Sequence, residues 1–202
     1  MSDTKESILI TSLQLFAREG CEAVSVSKIA GELDMTKGAL YKHYQNKRDI
    51  FDHIVARMEV MDEARAVEFN LPEGTLAEME EKYRNVSIKQ FSEYCKAQFE
   101  YWTEDEFASS FRKMLTLEQF RNDEMQKLYQ QYLVAGPMNY VADLFKNLEI
   151  PDAENLAACL YAAMFFFYSM YDGAEDKEKI KEQFHKTLDG ILENICSNKK
   201  EE

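Results

Sequence analysis

Residues Ser25 to Arg48 read SVSKIAGELDMTKGALYKHYQNKR, and the fold of the chain turns on how this stretch is parsed. Val26, Ile29, Ala30 and Leu33 fall on one face at helical spacing, and Leu40, Tyr41 and Tyr44 do the same further on. Between the two runs, Asp34-Met35-Thr36 leaves room for a turn of three or four residues, and Thr36 can cap the second helix. Two short helices joined this way form a helix-turn-helix, in which the second helix enters a DNA major groove. Lys37, Lys42, His43, Lys47 and Arg48 lie on or just beyond that second helix, so it is the basic one.

The chain as a whole is acidic, with a net charge of −13, which at first argues against a nucleic-acid partner. The charge is unevenly placed. Residues 1–50 hold seven Lys/Arg and seven Asp/Glu, so the remaining 17 basic and 30 acidic residues account for the whole −13. Within Ser27–Arg48, five basic residues face only Glu32 and Asp34. Attraction to phosphate depends on charges within about a Debye length (~8–10 Å), so the local excess matters more than the total. The acidic body should repel DNA and leave the basic end turned towards it.

If that end meets a duplex, the residue types assign roles. Thr36, Lys37 and Gly38 occupy the first turn of the motif's second helix, where unpaired N–H groups favour a phosphate and Gly38 lets the backbone come close. Lys42 can donate to guanine acceptors or to phosphate, and His43 to phosphate. Tyr41 can offer its hydroxyl to the backbone or its ring to a thymine methyl, and Lys47 can clamp a phosphate. Ser27 and Lys28 point outward from the first helix of the motif towards the flanking backbone. The competing reading is a solvated polar face, the ordinary fate of Lys and His on helices. Tyr41 and Tyr44 can equally be wedges in a small core, and Tyr44 suits that role better.

The same stretch resembles the TetR family of transcriptional regulators. The match is carried by Gly20, Ser25, Ile29-Ala30, the run Met35-Thr36-Lys37-Gly38-Ala39-Leu40-Tyr41-Lys42-His43-Tyr44, and Asn46-Lys47. Cys21 stands where the family has an aromatic, Val24 where it has Thr, Asp34 where it has a turn Gly, and Gln45 where it has a helix-ending Pro. Asp tolerates a left-handed backbone better than most residues, so the turn survives the change. The resemblance covers about the first fifty residues. It implies DNA contacts at the positions just named, a dimer built from the last two helices, and a central domain in which a ligand shifts the spacing of two DNA heads.

Composition points to an all-α protein. With seven Gly and three Pro in 202 residues, long stretches are free to be helical, and no alternating run suggests a sheet. Cys21, Cys95, Cys159 and Cys196 lack CxxC spacing and read as buried reduced thiols, with redox sensing as the alternative, in keeping with a cytoplasmic protein without a signal pattern. Asn155–Tyr171 is free of charge for 17 residues, but acidic residues bracket it, so it reads as a buried helix rather than a membrane span.

In chain order, Asp3 and Glu6 have capping-box spacing ahead of an apolar face of Ile8, Leu9, Leu13, Phe16 and Ala17 that ends before Gly20. Asn46 and Asp49 open a fourth helix with Ile50, Phe51, Ile54, Val55, Met58 and Met61 inward. Leu71-Pro72-Glu73-Gly74 marks a boundary, with a short helical piece expected over 75–85. Ser87 with Gln90 starts the next helix, Thr103 with Glu106 caps the one after, and Asn122 caps a long segment that Gly136-Pro137 should kink or divide. Pro151-Asp152 opens the apolar helix, which Gly173 closes. The last helix carries Ile180, Phe184, Leu188, Ile191 and Ile195, and Lys199–Glu202 is a tail. The expected architecture is therefore about nine helices: a helix-turn-helix DNA-binding domain over 1–50, a connecting helix over 51–70, and an effector-binding and dimerisation domain over 71–202.

The middle of the chain is rich in aromatics and thioethers, the residue types that line pockets for apolar or aromatic molecules and that also build ordinary cores. Phe91, Tyr94, Phe99, Trp102, Phe111, Met114 and Tyr132 are the pocket candidates for a small-molecule effector. Residues 153–196 pair an apolar helix with a striped one, more greasy surface than one small body covers, and Gly190 would allow close helix approach. A homodimer through that pair is the economical solution, with an inverted-repeat operator as its consequence. The three histidines, His43, His53 and His185, are scattered, and no nucleophile–base, Gly-rich or metal-ligand pattern appears, so neither an enzyme nor a metal or cofactor is expected. A helical adaptor that retains a vestigial DNA head and works through protein partners is the alternative.

Overall fold

A computed structural model describes residues 3–68 and 87–198 of the chain. Ten helices and no strand occur among the described residues: α1 (Asp3–Glu19), α2 (Val26–Glu32), α3 (Lys37–Leu40), α4 (Lys47–Glu68), α5 (Ile88–Glu104), α6 (Glu106–Glu118), α7 (Asp123–Leu133), α8 (Ala135–Asn147), α9 (Ala153–Gly173) and α10 (Lys177–Asn198). None of them is long and apolar enough to cross a membrane. The break at Leu71–Gly74, the piece at 75–85 and the tail at 199–202 lie outside the described residues.

The chain divides into two compact units, Met1–Arg65 with Asp105–Tyr129, and Ala66–Glu104 with Gln130–Glu202. These units differ from the expected boundaries at residues 50 and 70. Segment 105–129, expected in the effector domain, groups here with the N-terminal head.

In the first unit α1 packs on both α2 and α6. Two neighbours explain why α1 is buried beyond a single stripe. Ile8, Leu9, Leu13 and Phe16 are covered as expected, and Ser12 and Leu15 are buried as well. Asp3 is inside the helix rather than its cap, and the Glu6 carboxylate pairs with the Arg57 guanidinium on α4. That guanidinium also lies over the Phe107 ring of α6, 4.5 Å from its centroid. Ile50, Phe51, Ile54 and Met58 line the inner face of α4. The cap before α6 differs from expectation. Asp105 accepts from Ala108 N–H at 2.8 Å, while the Thr103 hydroxyl donates back to the Phe99 carbonyl at 2.7 Å inside α5. Thr at a helix end can satisfy itself on the preceding turn, which removes it from capping.

In the second unit α9 lies against α5, α8 and α10, and α5 also packs on α10. A reciprocal cap starts α5: Ser87 Oγ accepts from Gln90 N–H at 3.2 Å, and Gln90 Oε1 accepts from Ser87 N–H at 2.9 Å. The α7–α8 segment divides at Val134, and Pro137 supplies the reason. Lacking an N–H, Pro137 cannot bond the Leu133 carbonyl four residues back. That carbonyl accepts instead from the Tyr161 hydroxyl of α9 at 2.6 Å. The core between α5, α9 and α10 is aromatic: Phe99 stacks on Phe184 with centroids 4.2 Å apart and on Tyr168 at 5.6 Å. On α10 the buried stripe is Phe184, Leu188, Leu192 and Ile195. Leu192 was not expected in it, and Ile180 and Ile191 are only half-buried.

Candidate nucleic-acid interface

The helix-turn-helix is built from caps that the local sequence supplies. Ser25 Oγ accepts from Lys28 N–H at 3.1 Å to start α2, and Thr36 Oγ1 accepts from Ala39 N–H at 3.1 Å to start α3. Asp34 takes the left-handed backbone that the turn requires, with φ +50°. Regular α3 is one turn long, but backbone bonds from the N–H groups of Lys42, His43 and Tyr44 to the carbonyls of Ala39 and Leu40 carry the coil to Tyr44. Asn46 Oδ1 then accepts from Asp49 N–H at 2.9 Å to open α4.

The core side of this motif is formed by Ile29, Ala30, Leu40 and Tyr44. Tyr44 is 1% exposed, and its hydroxyl donates to the Lys5 carbonyl at 3.1 Å. Burial, then the Glu6 and Asp49 carboxylates, push this phenol up to about 12, so it stays neutral. Tyr41, one turn away, is 43% exposed. Ser27, Lys28, Thr36, Lys37, Gly38 and Lys42 are also exposed, and His43 is half-buried.

The basic residues divide sharply by partner. Lys28 is held by Glu19. Arg18 pairs with Glu19 at 3.2 Å and with Glu32 at 3.7 Å. Arg48 is bound by Asp52 at 2.7 Å and bidentately by Glu124 at 2.5 and 2.7 Å, which holds the Glu124 carboxyl below its ordinary range. Lys47, expected as a phosphate clamp, has its ammonium on three backbone carbonyls instead: Cys21 at 2.5 Å, Val24 at 3.0 Å and Glu22 at 3.4 Å. Lys37 lies over the Tyr41 ring, 5.7 Å from its centroid, without an ion pair. Lys42 has neither ion pair nor backbone tie among the described residues. Among the described residues 3–57, the cations without an ion pair or a backbone tie are therefore those of α3 and its continuation.

The turn between α1 and α2 is gripped from both sides. Lys47 takes its carbonyls, and Glu118 at the end of α6 accepts from Cys21 N–H at 2.9 Å. Glu118 is 2% exposed and pairs with Arg121 at 3.3 Å. Gly20 ends α1 at φ +84°, and a Cβ there would lie 2.7 Å from Glu118 Oε1, so only glycine fits. Burial, then Glu118, push the Cys21 thiol up to about 12. Sequence reasoning missed Glu118, Glu19 and Glu124 because each acts on a residue distant in the chain.

The pocket candidates are divided. Phe111 and Met114 belong to the first unit and are fully buried in it, while Phe91, Tyr94, Phe99, Trp102 and Tyr132 belong to the second. Phe99 is locked in the aromatic stack, and Phe91 meets Phe145 edge-on at 5.6 Å.

This geometry defines a class: an all-helical, two-unit protein with a helix-turn-helix head whose free cations lie on its second helix. Residues 8–54 match the model of the bacterial regulatory proteins, tetR family. An uncharacterised HTH-type transcriptional regulator, YerO, of Bacillus subtilis (strain 168) is 43% identical over 47 residues, 23% of this chain and 16% of that protein. The HTH-type transcriptional repressor BepR of Brucella suis biovar 1 (strain 1330) is 36% identical over 56 residues, 28% of this chain and 27% of that protein. The matched stretch thus spans under a third of either relative. The fold extends further. A TerR/AcrR-family transcriptional regulator from Aquifex aeolicus VF5 superposes with a TM-score of 0.63 at 16% identity, covering 93% of this chain and 99% of that one. NalD of Pseudomonas aeruginosa, the secondary repressor of the MexAB-OprM multidrug efflux pump, superposes with a TM-score of 0.54 at 17% identity, covering 92% and 94%.

Proposed function

We propose that the chain is a DNA-binding transcriptional regulator, acting as a repressor, that reads an inverted-repeat operator as a homodimer and is released by a small-molecule ligand. One observation carries the DNA reading. Within residues 3–57 every other cation is tied to a carboxylate, a ring nitrogen or a carbonyl, while Lys37 and Lys42 stand exposed beside Thr36, Gly38 and Tyr41. A face left cationic in a chain of net charge −13 suits a polyanion. Lys42 is the candidate base reader, His43 and Thr36 the candidate phosphate contacts.

The dimer reading draws on α9. Asn155, Ala158, Cys159, Ala162, Phe166 and Ser169 form an uncharged exposed stripe at steps of three and four, and Phe166 is 62% exposed. Open space beside Gly190 on α10 leaves room for a second helix. A second copy related by a two-fold axis would cover both surfaces within residues 153–196 and place two heads about one DNA turn (~34–36 Å) apart. Release by a small apolar or aromatic ligand rests on the aromatic second unit and on the family's pattern. Lys42→Ala tests the head. A base contact is worth about 1–3 kcal/mol, so the variant should lose roughly 5- to 150-fold on the preferred operator and keep its affinity for unrelated duplex. A uniform loss would make Lys42 a backbone contact, and no loss on any duplex would refute the reading.

A further inference from the structure

We propose that Glu19 holds the Lys28 ammonium off the DNA phosphates and so sets the strength and salt dependence of duplex binding. The inference rests on the DNA reading above. Glu19 is the last residue of α1 and Lys28 the third of α2, and the two side chains form an ion pair across the α1–α2 corner. Arg18 joins Glu19 from the same helix, and Glu32 joins Arg18 from the end of α2. The result is an alternating row, Lys28–Glu19–Arg18–Glu32, with no net charge. Lys28 would otherwise be a third free cation on the head's exposed face.

Two features set Glu19 apart from a carboxylate that stabilises the fold. It sits at the C-terminal end of α1, where the helix dipole disfavours an anion. The pair is also open to water, with side chains 40% and 27% exposed, and pairs of that kind add little to stability. Lys28 holds the Glu19 carboxyl below its ordinary range, so the carboxylate remains charged wherever the protein is folded near neutrality. A carboxylate and a phosphate ask for the same ammonium through the same charge-assisted hydrogen bonds. DNA must therefore displace Glu19 or forgo Lys28.

The test uses the full chain, a random-sequence duplex as probe, and fluorescence anisotropy over a range of salt. Glu19→Gln should tighten binding about threefold per head, or about tenfold for a two-headed dimer, the size expected for an exposed ion pair. The salt slope should steepen by about 0.9 per head, because one more phosphate is neutralised. The thermal midpoint should not move. In a Lys28→Ala background the same substitution should add nothing, while Asp34→Asn, which removes a charge that pairs with no cation among the described residues, should act alike in both backgrounds. Unchanged affinity for Glu19→Gln overturns the proposal, as does a gain that survives Lys28→Ala. Failure of the unaltered chain and every variant to bind duplex DNA at low salt contradicts the DNA reading itself.

Discussion

Lys47→Ala separates two accounts of the same ammonium. Lys47 opens α4, where the helix dipole disfavours a cation, and three carbonyls of the α1–α2 turn offset that cost. Hydrogen bonds to a charged group contribute about 1.5–3 kcal/mol when well buried. Lys47 is half-buried, the Glu22 contact is long at 3.4 Å, and water can replace part of the loss. A net destabilisation of about 2 kcal/mol is therefore expected, which lowers the melting temperature by about 4–8 °C in a chain of this size. Circular dichroism melting gives that number, and amide exchange at Cys21–Val24 should accelerate together with it. A phosphate clamp predicts something else: unchanged melting, uniform weakening on all duplexes, and a salt slope flatter by about one unit. Melting within a degree of the unaltered chain would refute the structural assignment.

Three further outcomes follow from the packing. Gly136→Ala places a Cβ 2.0 Å from the Gln131 carbonyl oxygen, so the second unit should lose about 1–3 kcal/mol in urea unfolding, and an unshifted midpoint would contradict it. Glu118→Ala leaves the part-buried Cys21 N–H without its acceptor, at a cost of about 1–3 kcal/mol, and hydrogen exchange at Cys21 should rise before that of the α2 core, so an unchanged rate there would contradict the grip. Asp189 is held below the ordinary carboxyl range first by Lys96, then by the Ser92 hydroxyl. A depressed folded-state value means its contribution is complete above the unfolded value near 4 and is lost as pH falls through the folded one. Asp189→Asn should thus lower the melting temperature slightly at pH 6, with a deficit that shrinks as the pH is taken below about 4, and a deficit that does not shrink would show that the group does not titrate as assigned.

What could be read from the chain beforehand was local. Ser25, Thr36, Asn46, Ser87 with Gln90, and Asn122 cap the helices they precede, because a cap is decided within four residues. The left-handed Asp34 and the break before Pro137 were legible for the same reason. Periodicity shows that a helix has an apolar face but not which helix covers it, so α6 joined the head unannounced, and Phe111 and Met114 entered the head's core. The cations show the same limit. Lys28, Lys47 and Arg48 look alike in sequence to Lys37 and Lys42, yet carboxylates and carbonyls from 4 to 76 positions away occupy them. Within α5, Thr103 turned back on its own helix and left the cap to Asp105.

The central claim is that a pair of heads reads duplex DNA through α3. Rounds of binding by the full chain to a pool of random duplexes, followed by sequencing of the bound fraction, test it most directly. The account predicts enrichment of an inverted repeat whose half-sites are centred about one turn of DNA (~34–36 Å) apart, and loss of that enrichment with Lys42→Ala. A bound pool no different in sequence from the input would contradict it.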